Sequence, residues 1–176
     1  MISLAHRLFS VLFLFIALAS AHRRGLSPRE DWLDQIQFTA THNSIRASHG
    51  ANALSWSDTL AQAAENWAQA CDFQYASGTL DDGTAYGQNV MATTGSVSAV
   101  EAVNAFANDR ESAQLDPETF THFTQLVWKG TTEVGCARYT KCSDVFDSTA
   151  ASTTLVACFY SPPGNIIGQI SDNVEL

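Results

Sequence analysis

Basic residues are scarce in this chain: nine Lys and Arg stand against eighteen Asp and Glu, giving a formal net charge of −9. Neutralising phosphates takes clustered Lys and Arg. Outside His22-Arg23-Arg24 the basic residues are scattered. Nucleic acid and anionic lipid surfaces are therefore poor partners, and the acidity reads as plain solubility. The sequence has no Asn-x-Ser/Thr sequon, so N-glycosylation is not expected. It has no Cys-x-x-Cys, which argues against a zinc knuckle. It has no Gly-x-Ser-x-Gly, so a nucleophile elbow is absent. No apolar run is long enough to span a bilayer comfortably. The polar end, Ser171 to Leu176, lacks the apolar tail of a glycolipid-anchor signal. Repeats and low-complexity linkers are missing as well.

What is present begins with a leader. His6 and Arg7 precede an apolar stretch, Leu8 to Leu18, interrupted by Ser10 and followed by Ala19-Ser20-Ala21. That is the order of a secretory signal peptide, residues 1–21, and it predicts export without a stable membrane anchor. Residues 22–30 read as a loose lead-in, with Ser27-Pro28 favouring extended backbone. Four cysteines follow: Cys71, Cys136, Cys142 and Cys158. An even count behind a leader reads as two disulfides, with three connectivities open.

The periodicity predicts helices and strands in alternation. From Asp31 to about Ala47, Trp32, Ile36, Thr39, Ala40 and Asn43 recur at helical spacing, and Gly50 stops the run. His42 and His49 share roughly one face of that helix and read as packing residues. Ser57 caps a second helix with the stripe Leu60, Ala64, Trp67 and Ala68. Residues 76–88 are rich in Gly and Asp and read as a long loop. Ser98-x-x-Glu101 is a capping box for a third helix, with Val100, Val103 and Phe106 inward and Asp116-Pro117 at its end. Phe123, Leu126 and Val127 fit a helical turn within His122 to Trp128. Glu133 to Tyr139 and Thr153 to Tyr160 read as paired strands, closed by Pro162-Pro163-Gly164. Trp56, Trp67 and Trp128 are placed in the core. Helices on both sides of a small sheet make an α+β class.

Five motifs occur in one order. They are His42-Asn43-x-x-Arg46-x-x-His49-Gly50 with Leu54-x-Trp56, Cys71-x-Phe73, Tyr86-Gly87-x-Asn89, His122-Phe123-Thr124-Gln125-Leu126-Val127-Trp128, and Gly135-Cys136 with Cys158-Phe159-Tyr160-Ser161-Pro162-Pro163-Gly164-Asn165. Together they resemble the CAP superfamily of cysteine-rich secretory, antigen 5 and pathogenesis-related proteins, closest to secreted fungal members. The resemblance implies a three-layer α-β-α sandwich over residues 31–170, followed by a polar tail, 171–176. It implies the pairings Cys136–Cys158 and Cys71–Cys142.

It also implies a pocket, which family members with a metal build from two histidines and two glutamates. His122 matches one histidine. Tyr75 stands where the other belongs, and Gln88 where one glutamate belongs. Glu111 is the best match for the second glutamate, with Asp109 as the alternative. A pocket of Tyr75, Gln88, Glu111 and His122 offers hydrogen bonds more readily than zinc ligands. The expectation is no cofactor, with weak divalent metal at His122 and Glu111 as the fallback. Asn89, Gln125, Tyr86 and Gly87 read as structural.

Fungal relatives bind sterols and fatty acids outside the cell. The matching loop here, Arg138 to Thr154, carries Tyr139, Val145 and Phe146. The resemblance therefore implies a secreted, monomeric, non-catalytic binder of sterol or fatty acid. The competing readings are a disulfide-braced interaction protein or host-directed effector, and a metal-dependent hydrolase.

Overall fold

The computed structural model describes residues 28–74, 78–115, 119–143, 145 and 152–176. The expected leader and most of the expected lead-in, with Tyr75, Asp116-Pro117 and Phe146, lie outside them. In chain order the elements are α1 (Pro28–Ala47), β1 (Ser55–Trp56), α2 (Asp58–Gln69), β2 (Gly87–Thr94), α3 (Ala99–Ala107), α4 (Arg110–Leu115), α5 (His122–Leu126), β3 (Glu133–Cys142), β4 (Thr153–Ser161) and α6 (Ile170–Asn173). The strands form a sheet in the order β1-β3-β4-β2. β1 runs parallel to β3, and the other pairs are antiparallel. Among the described residues, no helix is long and apolar enough to cross a membrane.

The sheet has two different faces because side chains alternate along each strand. On one face, Ala157 and Phe159 of β4 meet Leu60 and Ala64 of α2. Ser57 caps α2 by accepting from the Leu60 N–H, as the sequence predicts. Contact there is close because Gly135 of β3 has no side chain. A Cβ on it would collide with the backbone of Ser57, Leu60 and Ala61. On the other face, Val156, Cys158 and Tyr160 of β4 meet Phe38 of α1, Val103 and Phe106 of α3, and Phe123 of α5. This is the expected α-β-α sandwich.

The disulfides are Cys71–Cys142 and Cys136–Cys158, the pairings the resemblance implied. Cys136 lies directly opposite Cys158 in the β3–β4 register, with Cα atoms 4.1 Å apart. Cys71–Cys142 ties the end of α2 to the end of β3.

Several local expectations need correction. On α1, Trp32 and Ile36 are exposed; the buried stripe is Phe38, His42 and Arg46. Apolar spacing misreads that face because two of its three buried members are polar. Val100 is exposed, while Ala99 and Ala102 are buried in its place. Trp128 is fully buried, but Trp56 and Trp67 are half-buried. The third helix is broken at Asn108 and Asp109 into α3 and α4. β2 went unseen in the sequence, because Gly87-Gln88-Asn89 reads as the tail of a loop. β3 continues to Cys142, so Arg138 to Cys142, Tyr139 included, belongs to the strand and not to the loop.

Candidate functional site

Five residues of helix would not hold together alone, so α5 depends on its bonds to neighbours. Thr121 caps it by accepting from the Thr124 N–H, and the Thr124 hydroxyl accepts from the Thr121 N–H at 2.8 Å. The Thr124 hydroxyl donates to Asn165 Oδ1 at 2.7 Å, and Asn165 Nδ2 donates to the Thr121 carbonyl at 3.1 Å. Asn165 has φ +53°, a left-handed conformation Asn tolerates. Gln125 Oε1 accepts from the Gly164 N–H at 3.0 Å. A Cβ on Gly87 would strike Gln125 and Gly164, which explains the glycine in β2.

The far end of α5 rests on a cation. The Arg46 guanidinium is buried and donates to four carbonyls: Asn52 at 2.7 Å, Leu126 and Trp128 at 2.9 Å each, and Thr131 at 3.0 Å. Leu126 and Trp128 lie at the C-terminal end of α5, where carbonyls lack helical partners and the dipole favours positive charge. Burial lowers the Arg46 pKa to about 10, which leaves it protonated at neutral pH.

Beneath α5 runs a chain of buried polar groups. His42 Nδ1 donates to the Phe38 carbonyl at 2.8 Å. A carbonyl cannot donate, so in the neutral ring Nε2 accepts from the Tyr160 hydroxyl at 2.8 Å. Asn89 Nδ2 donates to that hydroxyl at 3.2 Å and to the His122 carbonyl at 2.8 Å. Burial lowers the His42 pKa to about 4 and pushes the Tyr160 phenol upward. Both groups are neutral in the fold.

His122 begins α5 at the rim of this network. Its Nδ1 lies 2.5 Å from Asp109 Oδ2, and the same oxygen accepts from the His122 backbone N–H at 3.3 Å. Phe106 stacks on the ring at 5.3 Å between centroids. The break between α3 and α4 is what brings Asp109 here. Glu111, preferred from the sequence as the acidic partner, is exposed on α4; Asp109 occupies that role. Gln88 is half-buried and pairs across the sheet with Phe159, on the α2 face, whereas Asn89 beside it faces α5. Tyr86 stacks on Phe159 at 4.4 Å and is buried. The sequence therefore brings His122 and Asp109 together and sends Gln88 to the other face.

The His122–Asp109 pair fixes the imidazole with Nδ1–H toward the carboxylate, leaving Nε2 as the lone-pair nitrogen in the neutral form. One imidazole and one carboxylate fall short of the three or four protein ligands zinc takes. Among the described residues, one group of three metal-type donors converges, His42 with Cys136 and Cys158, within 4.8 Å and fully buried. Its sulfurs are bonded to each other, so it offers no thiolate. The described residues around His122 do not fit a tight zinc centre.

The lipid-loop residues divide. Tyr139 and Val145 pack against Ala68, Cys142 and Leu155, beside the Cys71–Cys142 bridge. Phe146 lies outside the described residues.

The Asn165 latch, the Thr121–Thr124 box and the four-carbonyl cradle of Arg46 were not read from the sequence. His42 and Arg46, at i and i+4 on one helix, were the signal that could have revealed a polar inward face.

The family profile of cysteine-rich secretory proteins (CAP) matches residues 39–160. A probable pathogenesis-related protein of Arthroderma benhamiae is 36% identical over 145 residues, 76% of this chain and 46% of that one. The chain thus spans about half the length of this fungal relative. Pathogenesis-related protein 1C of Nicotiana tabacum is 31% identical over 173 residues, 92% of this chain and 90% of the tobacco protein. Among solved structures, NaASP2 with Zn2+ superposes with a TM-score of 0.57 at 20% identity, over 83% of this chain and 86% of that one. At that identity the likeness extends to the fold alone.

Proposed function

The chain belongs to the cysteine-rich secretory protein (CAP) family, and from that premise we propose that it is an exported, non-catalytic carrier of sterol or fatty acid. The observation that carries the reading is the root of the β3–β4 loop. Tyr139 and Val145 gather with Leu155, Ala68 and Cys142 into one apolar cluster, and the Cys71–Cys142 bridge pins it to α2. A sterol seated there gains roughly 25 cal/mol for each Å2 of apolar area removed from water. The leader and the two disulfides agree with an oxidising exterior.

The pocket supports the non-catalytic half of the proposal. Its imidazole is bound to Asp109, and Asn89 and Gln125 hold backbone groups instead of facing a reactant. A general base needs the proton it takes within hydrogen-bond reach, and the partner of the His122 ring is a carboxylate, which has none to give.

The test is saturation binding of labelled ergosterol to the purified mature protein. Phe146→Asp should abolish uptake, because an ionised carboxylate would be desolvated against the ligand. His122→Ala should leave uptake unchanged. Absence of saturable uptake by the wild type would sink the proposal, as would loss in His122→Ala with retention in Phe146→Asp.

A further inference from the structure

On the side of β3 away from β4 lies a cleft of about 620 Å3 whose lining shares Tyr139 alone with the apolar cluster of the lipid reading. Its walls are α1 and α2, and its floor is β3 from Cys136 to Lys141. β1 covers this edge of β3 only opposite Glu133 and Val134. The Ser57 N–H donates to the Val134 carbonyl, so the backbone of Val134 faces the β1 side. Backbone direction alternates along a strand, so the N–H and C=O of Cys136 and Arg138 face the same way, beyond the reach of two-residue β1. The 4.1 Å Cα separation of Cys136 and Cys158 agrees, since it marks a pair that does not exchange ladder bonds. The irregularity of β3 comes later, between Tyr139 and Cys142, so this stretch keeps strand geometry.

The walls state the chemistry of what fits. Asp58 accepts from Trp56 Nε1 at 3.0 Å, and Glu65 accepts from Gln62 and Gln69 side chains at 3.0 and 2.7 Å. These donors are neutral and leave each carboxylate its charge. Two basic groups line the floor: Arg138 at its centre, bonded to Asp34 through Nε at 2.5 Å and Nη2 at 3.2 Å, and Lys141 at its end, against Asp31, Asp34, Asp58 and Glu65 on the walls. Trp32 is 58% exposed on the α1 wall, and half-buried Trp56 lines the same cleft. Indole faces attract cations.

We propose that this cleft is a peptide-docking site, in which an extended, lysine- or arginine-bearing segment of a partner protein adds as a strand to the open edge of β3. The backbone of the segment bonds Cys136 and Arg138, and its basic side chains meet Asp58, Glu65 and the indoles. Strand addition, unlike general attraction of cations, uses one edge of the incoming chain.

The probe is the capped peptide acetyl-Lys-Val-Lys-Val-Lys-Val-amide, with binding followed by tryptophan fluorescence and by amide shifts of Cys136 and Arg138. N-methylation of one alternating set of its residues should weaken binding at least about tenfold, while methylation of the other set leaves it within about threefold. Asp58→Asn with Glu65→Gln should weaken it several-fold with the circular dichroism spectrum unchanged, and Phe146→Asp should leave it intact. Equal binding of both methylated peptides, no binding of the parent peptide, or equally tight binding of spermidine at the same amides would overturn the proposal.

Discussion

The two faces of the sheet are held by different means. The α2 face is ordinary amphipathic packing: Leu60, Ala64, Val90 and Phe159 in contact, with Gly135 allowing the helix to come close. The α5 face buries His42, Arg46, Asn89, Thr124 and Gln125, and each has a protein partner. No buried side-chain polar atom among the described residues lacks one. An apolar face tolerates substitution in proportion to the volume lost. A satisfied polar network fails when one member is removed, because the remaining groups stay buried without partners. Residues that look chemical in the sequence are here the fastenings of a five-residue helix.

The comparison breaks most visibly at Arg46. Arg46→Met keeps the volume but leaves the carbonyls of Asn52, Leu126, Trp128 and Thr131 without their donor. The expected loss is about 3–5 kcal/mol, measured as a shift in the urea midpoint. Leu60→Met, equally conservative in volume on the α2 face, should cost less than about 1.5 kcal/mol. Similar costs for the two changes would show that the polar face holds no special stake.

Acid sharpens the comparison further. The His42 pKa falls to about 4 in the fold from an ordinary 6.5, so the unfolded chain binds the proton more readily. The stabilisation is complete above about pH 6.5, fades as pH drops toward 4, and is then lost, for a total of about 3 kcal/mol. Urea midpoints at pH 7, 5 and 3.5 should therefore fall more steeply for the wild type than for His42→Gln, which has no imidazole to protonate. Parallel curves for the two proteins would refute the account. The α2 face carries no such group in its buried cluster and should contribute nothing to the slope.

What the sequence disclosed follows the same division. The α2 face was legible because its stripe, its Ser57 cap and the β3–β4 pair obey simple periods. The α1 stripe was misread at Trp32 and Ile36, which are exposed, and at Arg46, which is buried, because burial there follows hydrogen bonding and not hydropathy; His42, read as a packing residue, is indeed buried. Of the candidate site, His122 was found by its motif. Its acidic partner was placed at Glu111, with Asp109 as the alternative because the register there is open, and the structure selects Asp109. A break at Asn108 and Asp109 changes which residue faces α5, and spacing alone does not reveal a break. The alternation of β2 likewise separates Gln88 from Asn89, a division invisible while the segment reads as loop.

The smallest expected effect lies at the His122–Asp109 pair, on the rim between the buried network and solvent. The two side chains are 35% and 40% exposed, so water screens their interaction. Asp109→Asn should change stability by less than about 1 kcal/mol, because the amide oxygen can still accept from Nδ1–H and from the His122 backbone. The pair also bears on metal. With Asp109 Oδ2 occupied by two donors and Gln88 neutral, titration calorimetry of the wild type should find no zinc binding tighter than about micromolar. Gln88→Glu should leave that result unchanged, because residue 88 lies opposite Phe159 on the α2 face while His122 sits on the α5 face. Tight stoichiometric zinc in the wild type would overturn this reading of the pocket.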